Sequence, residues 1–304
     1  MPLLSIHTLL EQSIDYAGMF PPCSLGLEQA IGNQAEYARA PDAWMLGSFV
    51  LSTGKFDAIR QLLAQFDEQH PLRIAALGPK TEGPDDFLKG LQEAHAAILS
   101  VSRDNVGPVS TTHLEMFLPD GIDVSLLNDA KSIIGDLPVF WETPAQRAEQ
   151  AIALLAAFNS DANSPPFGFK LRTGGVIADA FPTSPQIAKV LVSPTTHRLP
   201  IKFTAGLHHP LRQYREEVQA KMHGFLNVLG AAVLAAEHQW DADQAAIMLE
   251  DENAESFLFT DDFFMWREWQ IDIKRLRNRR RFVVSFGSCS FDEPRDDLRS
   301  LNLL

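Results

Sequence analysis

Short apolar runs alternate with longer amphipathic segments along the whole chain. The short runs are rich in β-branched and aromatic residues, and most are followed by polar or Gly/Pro turns, a pattern typical of strands. They predict eight strands, near Ile14–Phe20, Trp44–Leu51, Arg73–Leu77, Thr111–Leu118, Pro138–Trp141, Gly168–Arg172, Pro200–Thr204 and Arg281–Phe286. The amphipathic segments predict helices, most clearly at Leu25–Ala40, Lys55–Glu68, Pro84–Leu99, Pro144–Phe158, Ser184–Val192 and His223–His238.

Strands that alternate with helices predict a parallel sheet with the helices outside it. Eight such units in 304 residues fit an α/β fold of the (β/α)8 TIM barrel type, forming one domain over residues 1–304. The competing fold is a doubly wound open sheet, which should carry a glycine-rich phosphate loop after its first strand. The first predicted strand runs instead into residues 17–22, with the sequence AGMFPP, so the barrel is favoured.

A long segment between the seventh and eighth strands interrupts this alternation. It predicts an enlarged helical crossover, with an added helical layer at about 237–280. The segment contains an acidic-aromatic stretch, Asp251–Trp269, followed by a basic run, Lys274–Arg281. We interpret the basic run as a solvated helix face or a partner for the acidic stretch, with a nucleic-acid patch as the alternative.

The composition narrows the class of protein. Hydrophobic residues make up 45% and charged residues 21%, which excludes disorder over most of the chain. The net charge of −13 disfavours nucleic acid and anionic lipid as partners. The longest apolar stretch, Phe225–Ala236, is too short to cross a bilayer, and the N-terminus has no basic lead that would mark a secretory signal. With only Cys23 and Cys289 present, we expect a cytoplasmic protein with reduced thiols.

Candidate catalytic residues lie at the strand ends, where TIM barrels place their active sites. Alternation along the sixth strand turns Lys170 and Arg172 inward, and along the seventh it turns Lys202 and Thr204 inward. Two ammonium groups in a partly dry cavity raise each other's energy. We therefore predict that one lysine loses its proton near neutral pH and becomes a carbonyl nucleophile. In the alternative interpretation, both lysines merely pair with carboxylates.

Acidic residues accompany these lysines. Glu115 should point inward from the fourth strand, with His113 on the same face, and Glu142 ends the fifth strand. They can act as general acids and bases or pair with the inward cations, and the two roles are compatible. Asp15 is the remaining acid near the lumen, and the sequence leaves its direction open.

The loops after the last two barrel strands add further candidates. Adjacent His208 and His209 point opposite ways in an extended segment, so at most one should face the site. Gly287 and Ser288 form a turn suited to an anion, because loops at this position often bind phosphate through backbone N–H groups.

Two further pairs are placed by the predicted fold. Cys23 and Cys289 follow the first and eighth strands, which are neighbours in a closed barrel, so they are expected close together. His223 and Asn227 share a helix face and, beside Gly224, are typical of close packing rather than catalysis.

Three of these segments resemble the deoxyribose-phosphate aldolases: KLRTGG at 170–175, IKFTAGL at 201–207 and FGSCS at 286–290. The resemblance implies a (β/α)8 class I aldolase in which Lys170 forms the Schiff base and Lys202 lowers its pKa. Glu115 then stands where that family carries an aspartate, and the turn at 287–288 where it holds phosphate. The chain departs from the family at Arg172, where a small hydroxyl residue is usual, at 207–209 and in its longer crossover.

The first functional hypothesis is therefore a lyase or aldolase that uses a lysine imine and no cofactor. Its substrate is a small carbonyl or anionic molecule. The expected catalytic residues are Lys170, Lys202, Glu115 and Glu142, and the expected substrate contacts are Arg172, Thr204, His208, Gly287 and Ser288.

Two other hypotheses stay open. One is a metal-dependent hydrolase or lyase with ligands drawn from Asp15, His113, Glu115, Glu142 and His208, although inward lysines repel a cation. The other is a non-catalytic barrel that binds an anion or forms a homo-oligomer. In that case aromatic residues of the crossover form a partner surface, unless they pack on the outer helices, which we consider the better interpretation: Phe263, Phe264, Trp266 and Trp269.

Overall fold

The computed structural model describes residues 2–103, 108–161, 165–193 and 199–304. The strands are β1 (Ile14–Tyr16), β2 (Leu46–Ser52), β3 (Leu72–Leu77), β4 (Val109–Phe117), β5 (Val139–Glu142), β6 (Gly168–Arg172), β7 (Ile201–Thr204), β8 (Gln213–Arg215), β9 (Ala220–Met222), β10 (Phe257–Phe259), β11 (Phe263–Trp266), β12 (Trp269–Asp272) and β13 (Val283–Ser288). The α-helices are α1 (Leu4–Leu10), α2 (Leu27–Tyr37), α3 (Phe56–Ile59), α4 (Pro84–Arg103), α5 (Val124–Ile134), α6 (Ala148–Asp161), α7 (Ser184–Val192), α8 (Phe225–His238), α9 (Ala242–Glu250), α10 (Ile273–Arg280) and α11 (Asp292–Ser300).

Eight parallel strands close into a barrel, which confirms the predicted fold class. Their order is β1-β13-β7-β6-β5-β4-β3-β2, and β1 closes the ring by pairing with both β2 and β13. Each predicted strand overlaps an observed one. Alternation also holds within the strands, because Phe169, Ile201 and Phe203 are buried in the core on the helix-facing side.

Two helical regions differ from the sequence-based expectation. The helix predicted at Lys55–Glu68 is short α3, continued by a 3-10 helix at Arg60–Gln65. Helix α5 is not among the helices that the amphipathic pattern predicts, although a capping signal marks its start. The side chain of Asp123 accepts a hydrogen bond from the backbone N–H of Leu126 at 2.9 Å.

The crossover between β7 and β13 holds strands as well as helices. The layer predicted as helical contains α9, α10 and the antiparallel sheet β10-β11-β12, and the β8–β9 hairpin precedes α8. Alternation explains the sheet, because β11 and β12 turn Phe264, Trp266 and Ile271 inward. Phe263 and Trp269 are half-buried. Packing of Phe264 and Trp266 is therefore confirmed, and the interpretation of all four aromatic residues as one exposed surface is wrong.

The basic run forms α10 and divides between two environments. Arg275 and Arg279, one helical turn apart, pair with Glu237 of α8 at 2.6 and 3.1 Å. The expected partner within Asp251–Trp269 is therefore replaced by a carboxylate of α8. Among the helices of the described ranges, none combines the length and apolar character that a bilayer span requires.

Asn227 fastens α8 to the chain around it. Its fully buried amide accepts from the backbone N–H of Arg212 at 2.9 Å and donates to the carbonyl oxygens of Met248 and Asp251 at 2.7 and 2.8 Å. A Cβ at Gly224 would approach Asn227 Oδ1 to 2.3 Å. The predicted close packing of Gly224 and Asn227 is confirmed, but His223 precedes α8 and does not share its face with Asn227.

Replacement Asn227→Ala should lower the free energy of unfolding by about 3 kcal/mol, because three backbone groups lose a hydrogen bond to the Asn227 amide. Urea unfolding followed by circular dichroism measures the change. Asn278→Ala on the exposed face of α10 is the matched control and should stay within about 0.5 kcal/mol of the parent. Equal effects at both positions would contradict this account of Asn227.

Candidate active site at the carboxyl ends of the strands

Two lysines face each other inside the barrel. Lys170 of β6 and Lys202 of β7 are register partners, and both are buried, as alternation predicts. A cavity of about 370 Å³ opens above them at the carboxyl ends of the strands. Both lysines line it together with Glu115 and Glu142, so the structure brings the four predicted catalytic residues into one site.

Glu115 lies between the two lysines and bonds to both. Its Oε2 is 2.7 Å from Lys170 Nζ, and its Oε1 accepts a hydrogen bond from Lys202 Nζ. Burial alone raises the pKa of a carboxyl group, but the two ammonium groups outweigh it and hold the pKa of Glu115 well below its usual value. Glu115 is therefore an ionised bridge at the centre of the site.

Lys202 has an acceptor for each of its three ammonium protons. They are Glu115 Oε1, Asp15 Oδ2 at 2.8 Å and His113 Nε2 at 2.9 Å. Because Nε2 accepts, we assign the ring proton of His113 to Nδ1, which donates to Thr112 Oγ1 at 2.9 Å. Burial, followed by the charge of Lys202, lowers the pKa of His113, in agreement with a neutral ring.

The direction of Asp15, left open by the sequence, is inward. Oδ1 accepts from the backbone N–H of Ser48 at 2.7 Å, and Oδ2 accepts from the hydroxyl of Ser285 at 2.6 Å. A Cβ at Gly47 would lie 2.4 Å from Asp15 Oδ1. The glycine in β2 is therefore the sequence signal that could have placed this side chain.

Lys170 is held differently from Lys202. Two carboxylates contact its Nζ, Glu115 at 2.7 Å and Glu142 at 2.8 Å. Among the described residues no third acceptor completes the ammonium group, which borders the cavity. The two lysines therefore differ in the number of protein acceptors, although both are buried.

The prediction that one lysine loses its proton near neutral pH is wrong. Burial alone lowers a lysine pKa, but carboxylates raise the pKa of both groups above its usual value: Glu115 and Glu142 act on Lys170, and Asp15 and Glu115 act on Lys202. Repulsion between two adjacent ammonium groups would lower the pKa of one lysine. In the structure a carboxylate separates them, and attraction prevails.

The predicted substrate contacts meet at the mouth of the cavity, except for one. Arg172, Thr204, His208 and Gly287 all line it. Arg172 is half exposed, and its Nη1 is 3.8 Å from Glu142 Oε1. The exception is Ser288, which is buried.

The predicted glycine-serine turn is wrong, because Gly287 and Ser288 are the last two residues of β13. The carbonyl oxygen of Ser288 accepts from the backbone N–H of Ala17 at 2.7 Å, and its hydroxyl accepts from the N–H of Ser290 at 3.4 Å. The backbone here completes the barrel instead of forming an open anion loop.

The neighbouring histidines turn toward different carboxylates of α11. His208 Nδ1 lies 3.1 Å from Glu293 Oε2, and His209 Nδ1 lies 2.6 Å from Asp297 Oδ2. His208 lines the cavity, in agreement with the prediction that at most one of them faces the site.

The cysteines lie close together, as expected from the order of their strands. The Sγ atoms of Cys23 and Cys289 are 2.9 Å apart, and Cys289 lines the cavity. Burial raises the pKa of the Cys289 thiol, which therefore stays protonated at neutral pH.

Three of the predicted metal ligands converge, but on an ammonium group. Ligand atoms of Asp15, His113 and Glu115 all lie within 4.8 Å of one another. Lys202 Nζ lies within hydrogen-bonding distance of all three. A metal ion and the Lys202 ammonium would therefore compete for one position. The other predicted ligands, Glu142 and His208, pair with Lys170 and Glu293.

Comparison with known proteins gives no match to a family model, a curated protein or a solved structure. The function is therefore argued from the geometry of this site.

Replacement Glu115→Gln should lower the free energy of unfolding at pH 7 by about 3–5 kcal/mol, because it removes the charge shared by two buried lysines. The folded-state pKa of Glu115 is depressed, so its contribution is present above the usual value of 4.5 and is lost as pH falls through the folded-state value. The difference from the parent should shrink in acid. Urea unfolding at several pH values measures it.

Glu149→Gln, at an exposed position of α6, is the matched control and should change stability little at any pH. A Glu115→Gln penalty that stays constant between neutral and acidic pH would contradict the ionised bridge.

Proposed function

We propose that the protein is a small-molecule lyase or aldolase in which Lys170 forms a Schiff base with a carbonyl substrate. The observation that supports this is the different number of protein acceptors around the two lysine ammonium groups. Lys202 has three protein acceptors and is held as a fixed ammonium group, whereas Lys170 has two and borders the cavity. A carbonyl entering the cavity reaches the nitrogen of Lys170 first.

Lys170 must lose a proton before it attacks, and Glu142 is placed to receive it. The carboxylate lies 2.8 Å from Nζ and lines the cavity. Carboxylates raise the pKa of Lys170 above its usual value, so this proton transfer is uphill. A turnover of about 10 per second allows a total barrier of about 16 kcal/mol, which must include the transfer.

The resulting steps balance in atoms and charge. The Lys170 amine adds to the carbonyl carbon, the C=O π bond breaks, and the oxygen takes a proton from the attacking nitrogen to give a carbinolamine. Protonation of its hydroxyl by Glu142 releases water and leaves a positively charged imine. The net change is one ammonium group and one carbonyl converted to one iminium ion and one water. In the cleavage step the β-hydroxyl of the substrate loses its proton to Glu142, the Cα–Cβ bond breaks, and one fragment leaves as an aldehyde. The iminium takes up the electron pair of the broken bond and becomes an enamine.

Lys202 serves in this proposal as a positioning residue. Its ammonium group keeps Glu115 ionised and fixed against Lys170. This differs from the role implied by the aldolase resemblance, in which the second lysine lowers the pKa of the first. The iminium charge on Lys170 replaces the ammonium charge, so the pairing with Glu115 continues through the reaction.

The cavity indicates a small substrate with an anionic group. Its volume of about 370 Å³ is near the lower end for ligand pockets. Arg172, half exposed at the mouth, is placed to bind a carboxylate or phosphate that approaches Lys170.

A metal-dependent hydrolase or lyase is the second candidate, supported by the convergence of Asp15, His113 and Glu115. This reaction requires the Lys202 side chain to leave the position that the three ligand atoms share. Stoichiometric metal in the purified parent protein would favour it over imine chemistry.

Borohydride reduction in the presence of small aldehydes and keto acids should attach the carbonyl compound covalently to Lys170. Intact mass and peptide mapping locate the adduct. Lys170→Ala should abolish it, and Lys189→Ala, at an exposed position of α7, should leave it unchanged. An adduct on Lys202 would contradict the assignment, and failure of every carbonyl tested would contradict imine chemistry.

Replacement Glu142→Gln should slow adduct formation on Lys170 by about 10²–10⁴-fold, because the amide cannot accept the ammonium proton. The rate of borohydride-trappable adduct formation measures this effect. Glu36→Gln, at an exposed position of α2, serves as the control. An unchanged rate in Glu142→Gln would remove Glu142 from the mechanism.

A further inference from the structure

A second cavity, of about 600 Å³, lies at the opposite end of the barrel, where the strands begin. Its floor includes Asp15 and His113, and its walls include the end of α10. Four arginines line it: Arg73 at the start of β3, and Arg277, Arg280 and Arg281 from the basic run. Asp15 and His113 lie between this cavity and Lys202, and the proposed lyase reaction uses none of the four arginines.

These four arginines differ from the others whose side chains the structure describes. No carboxylate within the described residues lies at ion-pair distance from any of the four. Arg212, which also lacks an ion pair there, hydrogen-bonds to His223. The remaining described arginines each pair with a carboxylate: Arg39, Arg60, Arg147, Arg172, Arg215, Arg267, Arg275, Arg279, Arg295 and Arg299.

The phase of α10 divides its cations between two faces. Arg275 and Arg279 point to Glu237, whereas Arg277, Arg280 and Arg281 line the cavity. In a chain of net charge −13, paired arginines are the expected result. Four arginines without a carboxylate partner among the described residues line one cavity, which indicates a binding site for an external anion.

Arg280 shows the cost of this arrangement. Its guanidinium donates to the carbonyl oxygens of Val284 and Glu11, both at 2.9 Å, while Nε is buried with no acceptor among the described residues. Burial lowers the pKa of Arg280 to about 10. The side chain of Arg280 is half-buried, and a cation partly removed from water without a carboxylate at ion-pair distance is destabilised, which a bound anion would relieve.

The acidic groups of the cavity do not neutralise it. Glu11 and Asp15 are the carboxylates among its lining residues. Asp15 already accepts from Lys202, Ser48 and Ser285 on the floor. Glu11 is exposed at the rim, and its charge acts on Arg280 without an ion pair. Positive charge therefore remains in excess at the wall formed by α10.

We propose that this cavity binds a small polyvalent oxyanion that carries phosphate or carboxylate groups. Guanidinium groups recognise both through paired N–H donors. The volume lies within the usual range for small-molecule pockets. The strongly negative chain as a whole disfavours a nucleic-acid polymer, which would extend beyond the cavity.

Isothermal titration calorimetry with pyrophosphate and, separately, citrate tests the proposal. At least one should bind, and comparison of the two separates phosphate from carboxylate recognition. Arg277→Gln/Arg281→Gln changes two exposed arginines of the cavity and should weaken binding at least about tenfold for each guanidinium. Lys274→Gln removes a charge from an exposed position of the same helix and should change affinity less than about twofold.

Three results would overturn the proposal. The first is that neither anion binds the parent at millimolar concentration. The second is that affinity is unchanged in the double variant although circular dichroism shows it folded. The third is an equal loss in Lys274→Gln, which would indicate a diffuse field instead of a site. Sedimentation of the same proteins can give a fourth: a dimer that dissociates only in the double variant would identify a second copy, and not a small anion, as the occupant.

Discussion

The barrel is organised around one carboxylate that two ammonium groups share. Glu115 is buried in the lumen and contacts both Lys170 and Lys202, while Asp15 and Glu142 occupy the outer sides of the lysines. Charges therefore alternate along the lumen. Burying such a row of charged side chains costs desolvation free energy, and apolar residues often stabilise a core equally well. Its presence at the catalytic end of a TIM barrel favours a chemical role over a purely structural one.

The same network makes the two lysines unequal. Lys202 is enclosed by Asp15, His113 and Glu115, so its three protons are all satisfied. The ammonium group of Lys170 contacts two carboxylates, and its remaining side faces the cavity. In the proposed reaction, formation of the reactive amine would depend on proton transfer within an ion pair and less on a depressed lysine pKa. The resemblance to deoxyribose-phosphate aldolases implied the latter, and the carboxylates of this chain change the way a neutral amine would be generated.

Periodicity predicted the barrel and the inward direction of Lys170, Lys202 and Glu115, because alternation along a strand is local information. The direction of Asp15 required knowledge of β2, where Gly47 leaves space for it. The predicted protonation states of the lysines were wrong, because the pKa values depend on distances between strands that are remote in sequence. The antiparallel sheet of the crossover was missed because its strands of three or four residues lie in a segment interpreted as helical.

Side-chain ¹⁵N spectroscopy of the lysine Nζ atoms tests the central claim most directly. The signals of Lys170 and Lys202, assigned through single Lys→Met variants, should keep ammonium chemical shifts through neutral pH and titrate above the usual lysine value of 10.5. Because the pKa of both lysines is raised in the folded state, their contribution to stability is fully present below the usual value of 10.5. It is lost as the pH rises through the folded-state pKa. A neutral amine at either position near pH 7 would contradict the account.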